Sequence, residues 1–161
     1  MKKLWMYILV TYGLLFGACS SSASKENDTD YIGVHKLVVN LSGDVSSFDW
    51  TFSFQGLSAN SENTILYDDK GKQISDNSGS YTESFLNKNF ESLIASTGVN
   101  CSYLTMAGGC VASEIGKKVI VSIKGYINSK IVLTKEIVII STKVGDTNSF
   151  AVHTSNNKSE D

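Results

Sequence analysis

Few side chains in this sequence are able to do covalent or acid–base chemistry. The 161 residues include three cysteines, Cys19, Cys101 and Cys110, and two histidines, His35 and His153. A nucleophilic triad needs a histidine held against a Ser or Cys and oriented by an acid. Neither histidine has a Gly-x-Ser-x-Gly turn nearby, so His35 and His153 are expected to be surface or edge histidines. There is no His-Glu-x-x-His pair, and the cysteine spacing matches no zinc pattern. Gly108-Gly109 is followed by Cys110, not by the Lys and helix of a phosphate cradle. Asp49, Asp68, Asp69, Glu83, Glu91 and Glu114 are carboxylates of the kind a glycosidase would pair. Most of them fall in turn sequences or on polar strand faces, where solvation accounts for them. Asp68-Asp69-Lys70-Gly71 lacks the oxygen-ligand spacing of a calcium loop and reads as a turn. No catalytic residue, metal or cofactor is expected, and the chain is read as non-enzymatic.

Cys19 stands apart from the other two cysteines. Lys2 and Lys3 precede an apolar run from Leu4 to Phe16, and small residues, Gly17 and Ala18, lead to Cys19. A charged n-region, a short apolar h-region and a small-residue cleavage site make a secretory signal peptide. The run is too short to span a bilayer, which takes about 20 apolar residues. The Leu15-Phe16-Gly17-Ala18-Cys19 end resembles the lipobox of bacterial lipoproteins, with Phe16 where an aliphatic residue is usual. The resemblance implies cleavage before Cys19, a diacylglyceryl thioether on its sulfur and an amide-linked acyl chain on its nitrogen. Two or more chains, at about 0.8 kcal/mol per buried methylene, hold a soluble domain durably on a membrane. Cys19 is therefore the expected lipidation site and the membrane the expected partner.

Cleavage removes residues 1–18 and leaves 143 residues, enough for one domain with its own core. It also removes Lys2 and Lys3, so the formal charge moves from −2 to −4. An acidic chain without a single Arg is a poor candidate for nucleic-acid binding, which needs clustered cations. Outside the inner membrane the compartment is oxidising, so the remaining pair, Cys101 and Cys110, is expected to form a disulfide. Closing so short a loop would stabilise by roughly 2–3 kcal/mol. Two small buried thiols are the plain alternative.

The elements that must position these groups read as strands. Residues 19–30, Ser-rich and then charged, are expected to be a flexible tether. The acidic cluster within it resembles the export signal of surface-exposed lipoproteins in the Bacteroidetes. Leu37, Val39 and Leu41 share one face of a strand over 35–42. Phe48, Trp50, Phe52 and Phe54 alternate with Asp49, Thr51, Ser53 and Gln55, the period-2 stripe of a half-buried strand. The stripe is read as core, with an exposed aromatic ladder for sugars as the alternative. Thr64 to Asp68 is a short strand turning at Asp69-Lys70-Gly71-Lys72. Residues 84–95 are ambiguous between helix and strand. A strand over 90–96 is expected to turn at Gly98-Val99-Asn100 into a strand over 101–106, which Gly108-Gly109 then breaks. Lys117 to Thr142 reads as a long hairpin turning at Asn128-Ser129-Lys130, and 144–152 as an edge strand.

These elements predict an all-β fold, an antiparallel β-sandwich over 31–152, followed by a disordered tail over 153–161. At the level of pattern, residues 31–142 resemble the Ig-like domains of small Bacteroidetes envelope lipoproteins. The function expected is that of a non-catalytic lipoprotein, anchored through Cys19 at the outer membrane on its periplasmic or surface side. Its sandwich binds a protein or glycan or serves in an envelope assembly. An inhibitor or immunity-type envelope protein and a lipid-anchored hydrolase are the alternatives.

Overall fold

The computed structural model describes residues 32–58 and 62–154. The signal segment, Cys19, the tether and residues 155–161 of the expected tail lie outside the described residues.

Two antiparallel sheets pack face to face. One has the order β5-β1-β7-β8, built from β5 (Ser92–Cys101), β1 (Gly33–Gly43), β7 (Lys118–Ile127) and β8 (Lys130–Ile140). The other has the order β3-β2-β6-β9, built from β3 (Asn63–Thr64), β2 (Phe48–Leu57), β6 (Tyr103–Ala112) and β9 (Thr147–His153); β4 (Ser80–Phe85) also pairs with β2. The chain crosses between the sheets after β1, β4, β5, β6 and β8. This is the all-β sandwich that the alternation predicts.

The core lies where the alternating faces meet. Phe48, Trp50, Phe52 and Phe54 are all buried, together with Leu37 and Val39 of β1 and Val119, Val121 and Ile123 of β7. Burying each such side chain is worth about 1.5–3 kcal/mol, so the β2 stripe is core and not a sugar ladder. Trp50 stacks on Phe52 with centroids 5.7 Å apart, and Phe90 meets both rings edge-on. The Trp50 indole N–H donates to the Val45 carbonyl at 3.0 Å, so the ring's polar group is satisfied inside.

Residues 84–95 are neither one helix nor one strand. β4 closes at Phe85, a loop follows, and β5 opens at Ser92. Phe85 and Phe90 stack across that loop at 3.8 Å, which explains their spacing without a helix. The expected turn at 98–100 is a bulge inside a continuous β5, and the chain turns at Ser102 instead. Gly108-Gly109 does not break β6 either. A Cβ on Gly108 would stand 2.5 Å from Phe150 Cε2, so this glycine makes room for a ring from β9.

The disulfide expectation is corrected. Cys101 and Cys110 are both buried free thiols. Cys101 ends β5 in one sheet, whereas Cys110 lies far along β6 in the other. The extended strand from Tyr103 to Cys110 spans about 23 Å at roughly 3.3 Å per residue, far beyond the ~7 Å Cα limit of a disulfide. Burial pushes the Cys110 thiol up to about 11 and raises that of Cys101.

Candidate functional site

The histidines separate completely. His153 is exposed on β9 opposite Thr105. His35 is fully buried, which overturns its reading as a surface residue. Its ring Nδ1 lies 2.6 Å from the hydroxyl of Thr154, itself fully buried. That hydroxyl also accepts from the Leu104 N–H at 3.1 Å and lies 3.2 Å from the Leu104 carbonyl. The main-chain N–H of Thr154 donates to the same carbonyl at 2.9 Å. His153 and Thr154 therefore belong to the folded body, and Thr154 closes one end of the sandwich over His35.

Thr97 completes this corner. Between the register pairs Val34↔Asn100 and Lys36↔Ser96, the single residue His35 faces Thr97, Gly98 and Val99. His35 pairs with Ile127 of β7, and on the β5 side, where the bulge interrupts the register, the Thr97 side chain meets it. Its hydroxyl accepts the His35 N–H at 3.1 Å and donates to the Val99 carbonyl at 2.7 Å. Gly98 has φ +63, and a Cβ there would meet the Tyr67 ring at 2.8 Å, so both conformation and space call for glycine. Isolated glycine in a strand is the available sequence signal for such a bulge.

The carboxylates are dispersed and serve local structure. Asp49 accepts the Asn87 N–H at 3.0 Å. Asp68 accepts the N–H groups of Lys70 and Lys72 at 2.9 and 2.8 Å, the turn chemistry expected of it. Glu83 accepts the Tyr81 hydroxyl, and burial followed by that bond pushes the Tyr81 phenol well above its ordinary value. The Ser47 hydroxyl and the nearby Lys117 ammonium hold Glu114 below the usual carboxylate range. Asp69 and Glu91 are exposed. Among the described residues, no three His, Cys, Asp or Glu side chains come together as a metal site.

Two surface grooves among the described residues bear on function. One, of about 530 Å³, lies on the outer side of β6 and β9 between Tyr103, Thr105, Ala107, Ala151 and His153. It is walled mainly by small and apolar groups. The other, of about 460 Å³, lies beside the β5 bulge and gathers charged and aromatic groups of different kinds. Tyr67 pairs with Ser96 by main-chain bonds in both directions, at 2.8 and 2.9 Å. Ser96 in turn pairs with Lys36, and Lys36 with Tyr126. Directly paired residues share a sheet face, so Tyr126, Lys36, Ser96 and Tyr67 form one row. The Lys36 ammonium lies 6.0 Å from the centre of the Tyr126 ring. Asp68 and Asp69 follow Tyr67 along the wall, and Ile94 and Val99 supply apolar surface. Sequence reading singled out Asp68 and Asp69 but missed Lys36, Tyr67 and Ser96, because their meeting depends on a pairing between distant segments.

No family model matches the sequence, and no curated protein does. Solved structures do match. A domain of unknown function, DUF4425, from Bacteroides vulgatus is 30% identical with a TM-score of 0.68, covering 77% of this chain and 96% of its own. A DUF4425 family protein from Bacteroides ovatus is 27% identical with a TM-score of 0.67, over 76% of this chain and 95% of its own. The calcium-bound form of a protein from Parabacteroides distasonis is 18% identical with a TM-score of 0.60, over 76% of this chain and 92% of its own, and shares the fold. With that identity to the Bacteroides vulgatus domain across nearly its whole length, the chain belongs to the DUF4425 family.

Proposed function

We propose that this protein is a non-catalytic lipoprotein of the cell envelope, anchored through Cys19, whose β-sandwich is a binding module. The observation that carries the binding role is the contrast between the two polar assemblies. The buried histidine and its threonines are spent on holding the fold together, whereas the groove beside β5 presents Lys36, Asp68, Asp69 and Tyr67 toward solvent. Groups held in place by strand pairing and turn hydrogen bonds lose little entropy when a ligand arrives. The anchor is supported by the Lys2-Lys3 start, the apolar run and the Gly17-Ala18-Cys19 end. The relatives from Bacteroides agree with an envelope of the Bacteroidetes type.

The Cys19→Ala variant tests this reading. The unaltered protein is expected in the membrane fraction with metabolically incorporated fatty acid. The variant is expected in the soluble fraction without label. Retention of the variant in membranes would rule out the lipid anchor. The calcium named for the Parabacteroides distasonis protein is no part of the reading. A calcium titration of this chain is expected to leave its thermal midpoint unchanged.

A further inference from the structure

We propose that the groove beside β5 is a saccharide-binding site. This rests on the binding role given above and assigns it a place and a ligand class. The groove has a volume of about 460 Å³, within the range of small-ligand clefts. Its floor includes Lys36 of β1, its register partner Ser96 of β5, and Tyr67, which pairs with Ser96. Strands lie about 4.8 Å apart, so an ammonium, a hydroxyl and one phenol ring stand in a row over about two such spacings. The carboxylates of Asp68 and Asp69 stand beside this row.

The mixture of groups selects the ligand. An anion would face two carboxylates and a cation would face Lys36. An apolar ligand would strip water from all three charges without replacing its hydrogen bonds. A peptide added as a strand would need a free strand edge, and here Tyr67 already occupies the β5 edge at Ser96. A neutral polyhydroxylated ligand meets none of these objections. Its hydroxyls donate to Asp68 and Asp69 and accept from Lys36, while its C–H face packs on phenol and aliphatic surface. The site is also ordered in advance. Asp68 is held by the Lys70 and Lys72 N–H groups, and Tyr67 is held by Ser96 and by its contact with Gly98.

The test takes the full chain purified in detergent and probes it on an array of neutral, N-acetylated and acidic oligosaccharides. Titration calorimetry follows with the saccharide that binds best. The expected result is binding of a neutral or N-acetylated saccharide. Asp69→Asn and Lys36→Gln should each weaken it about tenfold or more, as the loss of a charge-assisted hydrogen bond does. His153→Gln, in the other groove, should change it less than about twofold, and all three variants should keep the parent thermal midpoint. Saccharide binding that survives both groove substitutions would overturn the site, and binding confined to acidic saccharides would overturn the ligand class. Capture of an envelope protein that the same substitutions abolish, with no saccharide bound, would overturn the proposal and leave the binding role standing. Absence of any binding would overturn both.

Discussion

Thr154→Val tests the corner that closes the sandwich. The substitution keeps the shape and the methyl group that packs over Gly125 but removes the hydroxyl. Two buried polar groups then lose a hydrogen bond: His35 Nδ1, at 2.6 Å, and the Leu104 N–H, at 3.1 Å. Withdrawing a partner from a buried polar group costs about 1–3 kcal/mol. The two losses share one oxygen and are not fully additive, so a total of about 2–4 kcal/mol is expected. The assay is equilibrium urea unfolding in a Cys19→Ala background, with Thr154→Ser alongside. Serine keeps the oxygen and loses one methyl, which costs about 1 kcal/mol. With a urea slope of about 1–3 kcal/mol/M for a domain of this size, the Val variant should shift the midpoint down by about 1–2 M and leave the slope unchanged. A Val midpoint within about 0.3 M of the parent would refute the reasoning, as would a Ser variant as unstable as the Val one.

Three further expectations follow from the same structure. Gly108→Ala places a Cβ 2.5 Å from Phe150 Cε2 and 3.1 Å from Phe52 Cδ1, so Phe150 must turn away from the core; overpacking of this kind costs about 1–3 kcal/mol, and an unchanged thermal midpoint would disprove the close packing. The unreduced Cys19→Ala protein should resist alkylation when native and take two alkyl groups when denatured, because Cys101 and Cys110 are separate buried thiols; no alkylation in denaturant would restore the disulfide. Stability should also fall at both extremes of pH. Hydrogen bonds from Ser78, Ser47 and Thr142 hold Asp76, Glu114 and Asp146 below their ordinary values. Their contribution is present above the ordinary carboxylate pKa and lost as pH falls through the lowered values, below about pH 4. The Cys110 thiol, raised from 9.0 to about 11, favours the fold below its ordinary pKa, and that support is lost as pH rises from 9 to 11. A urea midpoint that stays flat across that alkaline window would count against the buried thiol.

The strands were legible where one face is buried. Phe48 to Gln55 alternates because β2 lies between β4 and β6 with its inner face in the core. Val119, Val121 and Ile123 alternate for the same reason in β7. What escaped was set by distant partners. β4 was missed because its Ser, Thr and Glu carry no apolar stripe, and it forms only because β2 offers an edge. Gly98 and Gly108 look alike in sequence. One sits in a bulge at φ +63, while the other lies inside a strand and is small to admit Phe150. His35 looked like a surface residue because histidine is polar. Its burial depends on two threonines, 62 and 119 residues away, that satisfy its backbone and ring nitrogens. The candidate groove was half legible. Asp68 and Asp69 announce a turn, but only strand pairing sets them beside Ser96 and Lys36.

Mass spectrometry of the N-terminal peptide, taken from the membrane fraction, tests the anchoring of this sandwich most directly. The account predicts a peptide that begins at Cys19 and carries a diacylglyceryl group on its sulfur together with an amide-linked acyl chain. A peptide that begins at Met1, or one that carries an unmodified Cys19, would contradict it.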